Sequence, residues 1–226
     1  MDGTDKITRR RFLWAAGGIL AGSMLACGGS LALAAAPTPA LDYGHTNCGK
    51  ESTMNKVLVA YASRYGSTAE VAQAIAEELC RRGQAADVHS VEDAVDLTAY
   101  DAVVVGSAIR MGRWLPAATQ FVERHHAALR DVPTAFFTVH MLAIDDSEQS
   151  RQARAAYTAA ERSLVTPVLE AFFTGKIDPQ QLNFVEKLMF KATGSPGGDL
   201  RNWETIRTWA DTVAARAASV EMQGAN

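Results

Sequence analysis

Apolar and polar positions from Lys56 onward alternate between two rhythms. Lys56–Ala62 (KVLVAYA) is a β-branched run of strand length, closed by the polar loop 63–68 with its one glycine, Gly66. Val71, Ile75 and Leu79 then recur at helical spacing with Glu70, Glu77 and Glu78 outward, and Gly83 stands where a helix C-cap is expected. The same alternation predicts further strands at 86–91, 101–106, 133–139 and 168–174. Between them it predicts a short helical turn over 96–100 and a helix opening at Pro116 above Phe121, Val122, His125 and Leu129. An alanine-rich helix is expected through Ala153, Tyr157, Ala160 and Leu164, and helical segments over 184–191 and 202–218 end the pattern. Five β/α units with valine-rich strands imply an α/β fold, a five-stranded parallel sheet with helices on both faces. In such a sheet ligands bind beyond the carboxyl ends of the strands. Three loops meet there: 63–68, 107–115 and 139–146.

The first 36 residues have a different character. Arg9-Arg10-Arg11-Phe12-Leu13 places a twin arginine directly before an uncharged run, with small-residue cleavage candidates at 32–34 and 34–36. This resembles a twin-arginine translocation signal, which implies export by that translocase to a periplasmic or extracytoplasmic location. Left uncleaved, residues 12–36 are long enough to anchor the chain in a bilayer, since spanning takes ~20 apolar residues. Cys27 follows Met24-Leu25-Ala26, where Leu25 is too bulky for a good lipoprotein box. Residues 37–55, with Pro37, Pro39, Gly44 and Gly49, read as a linker, and the domain is expected over 56–220. Cys48 and Cys80 are the thiols left after the signal. An oxidising compartment permits a bridge between them, but spacing alone does not bring their Cα atoms together.

A formal net charge of −3 carries neither the basic footprint of a nucleic-acid binder nor an acidic tail. No CxxC occurs, and the adjacent His125 and His126 diverge on a helix, so no metal site is expected. Loop 63–68 lacks GxGxxG and GxxxxGK[ST], which leaves dinucleotide and triphosphate chemistry unsupported. It suits a single phosphate without a metal: Ser63, Ser67 and Thr68 offer hydroxyls, and Gly66 lets backbone N–H groups close around oxygens. The plainer alternative is that Ser67 or Thr68 only caps the helix.

Ser63-Arg64-Tyr65-Gly66-Ser67-Thr68 resembles the hydroxyl-x-x-Gly-x-Thr phosphate loop of the flavodoxin family. The stretches 103–114 (VVVGSAIRMGRW), 133–139 (PTAFFTV) and 186–204 (EKLMFKATGSPGGDLRNWE) are similar to the branch containing menaquinone-dependent protoporphyrinogen dehydrogenase. The resemblance covers roughly 56–213. It implies a flavodoxin-like three-layer sandwich with strand order 2-1-3-4-5 and FMN as cofactor. Ser63, Arg64, Tyr65, Gly66, Ser67 and Thr68 would then hold the phosphate. By position, Ser107, Ala108, Ile109, Arg110, Met111, Gly112 and Trp114 would flank the ring, joined by Thr138, Val139 and His140, with Trp114 the candidate stacking partner. The alternative for Trp114 is burial against the following helix.

Electron-carrier flavodoxins surround the ring with acids, whereas this chain has Arg110 and Arg113 there. A cation ~8 Å from the ring at an effective dielectric of ~20 contributes about 2 kcal/mol to the reduced anion. A less negative potential is therefore expected. His140-Met141-Leu142-Ala143-Ile144 reads either as a wall for an apolar substrate, such as a quinone or porphyrin, or as a buried strand extension. Phe184, Leu188 and Met189 with Lys187 and Lys191 make an amphipathic segment, open to core packing or peripheral membrane contact. No side-chain acid/base pair or nucleophile emerges, as suits a protein whose cofactor carries the redox chemistry. Three functions stay open: an exported FMN oxidoreductase linked to a quinone or small redox substrate, an electron carrier between proteins, and a binding module that has lost FMN. Protoporphyrinogen dehydrogenation is the runner-up within the first, because its substrate is made inside the cell.

Overall fold

The computed structural model describes residues 48, 56–182, 184–193 and 197–224, all within one compact unit, Thr38–Asn226. The twin-arginine segment, the anchor reading and, apart from Cys48, the linker lie outside the described residues. In chain order the elements are β1 (Lys56–Ala62), α1 (Ser67–Arg81), β2 (Ala85–Ser90), a 3-10 turn (Leu97–Ala99), β3 (Ala102–Arg110), β4 (Arg113–Trp114) and α2 (Pro116–Asp131). Then follow β5 (Thr134–His140), α3 (Glu148–Ala156), α4 (Ala159–Leu164), β6 (Leu169–Thr174), β7 (Lys176–Ile177), α5 (Phe184–Thr193), β8 (Gly198–Asp199) and α6 (Trp203–Gly224). The parallel sheet runs β2-β1-β3-β5-β6, the expected order of the five long strands, with strand order reversing between β1 and β3.

Alternation along the strands divides the core. Val57, Val59 and Val104 face α1 and α6, together with Val71, Ile75, Leu79, Ile206 and Ala210. Leu58, Ala60, Val103 and Val105 face the opposite layer with Phe121, Val122 and Leu129 of α2. Gly106 shows how tight the first layer is. A Cβ there would stand 1.9 Å from the Phe137 ring, so only glycine fits.

Four local differences from the periodicity have physical causes. The third strand continues through Ser107–Arg110, a stretch expected as loop, because it turns back on itself: Ile109 pairs with Trp114 and Arg110 with Arg113. Met111 and Gly112 make the turn with φ of 54° and 75°, the double positive φ of a type I′ hairpin. The helix expected through 153–164 breaks at Thr158, whose Oγ1 donates to Glu170 Oε1 at 2.6 Å instead of joining the helix. His140 belongs to β5, but 141–147 leave the sheet, so a buried strand extension is not what forms. Finally, β7 and β8 pair antiparallel, a small sheet invisible to periodicity in two-residue strands.

Cys48 and Cys80 are joined by a disulfide, Cα–Cα 6.1 Å. Cys48 also forms an antiparallel bridge with Ala86 of β2. Cys48 thus pairs with part of an edge strand that would otherwise offer unpaired backbone groups there.

Candidate cofactor-binding site

Sheet register brings the three loops together. Ala62 lies beside Ser107, Ser107 beside Thr138 and Ala108 beside Val139, so β1, β3 and β5 end at one level. The phosphate-loop residues and the hairpin residues therefore share a mouth at the β1/β3 reversal.

At β1, the Ser63 hydroxyl accepts from Gly66 N–H at 3.1 Å and closes the loop. Gly66 sits at φ 85°, ψ −21°, left-handed, and is the N-cap of α1 with no side-chain cap bond. Its carbonyl accepts from Glu70 N–H at 3.0 Å, starting the helix. Capping is thus not the role of Ser67 or Thr68. The Ser67 hydroxyl instead accepts from Lys176 N–H at 2.9 Å, and Thr68 is buried beneath it. A helix N-terminus without a side-chain cap, preceded by a left-handed glycine, presents N–H groups to an anion. Arg64 Nε donates to Tyr65 Oη at 3.2 Å, and its guanidinium lies over that ring at 5.5 Å.

The hairpin departs from expectation at its key residue. Trp114 is 1% exposed, in edge contact with Phe136 (5.1 Å between centroids), and its Nε1 donates to Thr138 Oγ1 at 2.9 Å. Its faces are spent on the core, so it is not a stacking partner for a ring at the mouth. Thr138, fully buried, serves Trp114 in the same bond. Ser107 is likewise turned inward: its hydroxyl donates to Ala108 O at 2.9 Å and accepts from Leu115 N–H at 3.0 Å, fastening both legs of the hairpin. Val139 and His140 are buried, at 5% and 4% exposure. Ala108 and Ile109 are half-buried, while Arg110, Met111, Gly112 and Arg113 are exposed at the tip. Residues 104, 106, 108 and 110 share the face toward α1, which puts Arg110 and its cross-strand partner Arg113 on the phosphate-loop side.

Loop 141–147 is held by Arg154, which donates to Ala143 O at 2.6 Å and Asp145 O at 2.7 Å. Ala143 takes a left-handed φ of 56° there. Asp145 accepts from the Ser147 hydroxyl and N–H at 2.7 and 3.1 Å, and those bonds pull its carboxyl down to about 2. Burial lowers the His140 pKa, with Arg154 adding to it, while the His140 Nδ1 contact with Leu142 O (2.7 Å) acts the other way. A carbonyl oxygen can only accept, so Nδ1 is the donor in that contact.

Sequence reasoning missed the residues that tie this mouth to the β7–α5–β8 excursion. Gly175 N–H donates to His140 O at 2.9 Å, and Leu200 N–H donates to Gly175 O at 3.0 Å. A Cβ at Gly175 would stand 2.7 Å from Val139 Cγ1 and 3.3 Å from Ser67 Oγ, so this glycine permits the close approach. Arg201 is nearly buried, paired with Glu70 of α1 at 2.5 Å and Asp199 at 2.6 Å, and lies 4.4 Å over the Trp203 ring. Only a lone glycine and a basic residue near an aromatic signalled these in the sequence. Among the described residues no cluster of His, Cys, Asp or Glu is arranged to hold a metal.

A family model described as a flavodoxin domain matches residues 58–199. The chain belongs to the flavodoxin domain family. Its cofactor is FMN, and the uncapped α1 N-terminus with Gly66 and its neighbouring hydroxyls fits the FMN phosphate. Protoporphyrinogen IX dehydrogenase [quinone] of Escherichia coli K12 is 28% identical over 172 residues, covering 70% of this chain and 94% of that protein. The protein of the same name from Leishmania major is 26% identical over 179 residues, covering 73% and 77%. Among solved structures, a short-chain flavodoxin associated with a bacterial microcompartment covers 73% of this chain and 99% of its own, at 13% identity and TM-score 0.47.

Proposed function

We propose that this flavodoxin-fold protein is an exported FMN oxidoreductase that passes electrons between FMN and a quinone or other small redox substrate. The observation that carries the reading is the composition of the mouth. Arg110, Met111 and Arg113 of the hairpin tip and Leu142 and Ile144 of the next loop are exposed there, where a protein-to-protein carrier would show an acidic rim. FMN, when bound, supplies the electron chemistry. Ser63, Gly66, Ser67 and Thr68 bind its phosphate; Arg110 and Arg113 bias the potential upward; Leu142 and Ile144 offer apolar surface to a ring-shaped substrate. No side chain is asked to move a proton. The quinone-named relatives support a quinone partner. Export is supported by the twin-arginine pattern and by the Cys48–Cys80 disulfide, since such bridges persist in oxidising compartments.

Protoporphyrinogen IX dehydrogenation is the second reading, favoured by the Escherichia coli and Leishmania major relatives. One experiment separates the readings. The full chain is purified, its flavin identified by absorbance and extraction, and menaquinone analogues are assayed with and without protoporphyrinogen IX. Quinone-dependent turnover with another reductant supports the first reading, and turnover only with protoporphyrinogen supports the second. Colourless protein that does not bind added FMN refutes both.

A further inference from the structure

Large apolar side chains on the surface are not spread evenly. Six are exposed among the described residues: Met111, Leu142, Ile144, Val168, Phe184 and Leu188. Val168 lies at the amino end of the sheet, where its N–H meets Thr134 O. The other five belong to segments that leave the sheet at its carboxyl end. Met111 is the tip of the β3–β4 hairpin, and Leu142 and Ile144 stand in the loop after β5. Phe184 and Leu188 are on α5, whose excursion starts at Gly175 and is tied back to it through Leu200 N–H.

Helix α5 exposes large apolar side chains among its described residues. Phe184 is 83% exposed and Leu188 62%, with Lys187 and Lys191 exposed at the intervening and following positions of the same face. Phe190 is half-buried, and its ring and Pro179 both lie against Gly197. The hairpin tip repeats the pattern, Met111 between Arg110 and Arg113. Of the acids described on these segments, Asp145 is engaged by Ser147, Asp146 lies 3.6 Å from Arg154, Asp178 accepts from Gln180 N–H and Asp199 is paired with Arg201.

We propose that this carboxyl-end rim docks on an anionic lipid surface, with Phe184, Leu188 and Met111 in the headgroup–acyl boundary and Lys187, Lys191, Arg110 and Arg113 on lipid phosphates. Interleaved apolar and basic side chains are what an interfacial helix presents to such a surface. The core of a protein–protein contact, by contrast, is depleted in lysine. At ten residues, α5 lies along the surface and does not cross it. The inference deepens the quinone reading, on which its consequence rests: the FMN mouth faces the bilayer, and a lipid-soluble quinone reaches it without passing through water. Docking itself depends only on the rim.

The test uses the full chain with FMN, mixed with vesicles of phosphatidylcholine alone or with about one-third phosphatidylglycerol, whose anionic surface attracts basic side chains. Hydrogen exchange is followed on peptides covering 109–114, 141–147 and 184–193, so that the readout is local to the rim and independent of any lipid contact made by residues 12–36. Slower exchange in all three regions with anionic vesicles, and little change with neutral ones, is expected. Lys187→Glu/Lys191→Glu, at exposed positions, should need at least about thirtyfold more anionic lipid for the same protection. Phe184→Ser/Leu188→Ser should abolish it at 184–193. Unchanged exchange in these regions overturns the proposal, and so does protection that appears on raising protein concentration without lipid, which would mean a second copy covers the rim. Protection by anionic vesicles in FMN-loaded protein that turns over no quinone would leave docking standing while the catalytic reading falls.

Discussion

The β1–α1 loop and the β3–β4 hairpin stand side by side at one mouth, yet they are held in opposite ways. In the first, Ser63 closes on Gly66 and Gly66 starts the helix through bonds between residues three and four apart, and Lys176 N–H reaches Ser67 Oγ only at its far end. In the second, shape comes from afar: Trp114 is fixed by Thr138 and Phe136, more than twenty residues on. A segment shaped by its neighbours keeps its geometry as a unit. One anchored through a buried indole owes its position to the core beneath it.

The sharpest way to break the first region is Gly66→Val. A β-branched residue is a genuine outlier at φ 85°, and the α1 N–H groups lose their aim. Loss of stoichiometric FMN from the purified protein is expected, read as flavin absorbance, while circular dichroism still shows a folded chain. Stoichiometric FMN in this variant would mean the phosphate is held elsewhere.

Reducing the Cys48–Cys80 bridge is next in size, and it should leave both loops alone. Closing a loop of separation 32 removes denatured-state entropy worth about 3–4 kcal/mol in the chain-entropy model. Urea unfolding with and without dithiothreitol measures the loss, and flavin affinity should not move.

Trp114→Phe tests the hairpin. It gives up the indole bond to Thr138 and part of the buried volume, for a destabilisation of about 2 kcal/mol. The flavin absorbance envelope should be unchanged, since the indole does not touch the ring. A shifted flavin spectrum with full stability would return Trp114 to the stacking role.

Arg110→Ala should leave folding alone and lower the potential. Removing about 2 kcal/mol of interaction corresponds to about 45 mV for a two-electron couple. A spectroelectrochemical titration showing no negative shift would place this guanidinium too far from the ring to act on it.

The smallest effect is on pH dependence. Burial lowers the pKa of His140 below its ordinary 6.5, so below that pH the unfolded chain binds the proton more readily. Stability is fully present above pH 6.5 and declines as pH falls toward the lowered value. His140→Gln should flatten the fall of Tm in that window relative to the parent. An identical slope would mean His140 is protonated in place. His125, also lowered by burial, contributes a slope of the same sign, and at lower pH the lowered carboxyls of Asp145, Asp199 and Asp211 add theirs.

Legibility in the sequence followed the same divide. Placement of the five long strands and of the helices after β1, before β5 and at the end of the domain, and the need for a glycine at Gly66, follow from residues close in the chain. Trp114 was legible as important but not as buried, because an indole beside a glycine turn suits a ligand face and a core alike. Loop 107–115 hid a hairpin because the I′ turn is carried half by Met111, whose positive φ no propensity announces. Gly175 and Arg201 gave only faint signals, since a close approach or an ion pair to Glu70 needs the partner's position.

What the sequence determined by itself was therefore the layered parallel fold and the anion-ready β1–α1 loop, because hydrophobic period and backbone permissiveness are properties of short stretches. What only the tertiary structure decided was which side chains line the mouth and which serve the core beneath it. That choice was made by packing, where a single register brings Trp114 to Thr138 and leaves Arg110 and Met111 outside. The Cys48–Cys80 bridge belongs with those decisions, for a disulfide needs two Cα atoms near 6 Å apart, and no spacing along a chain supplies that.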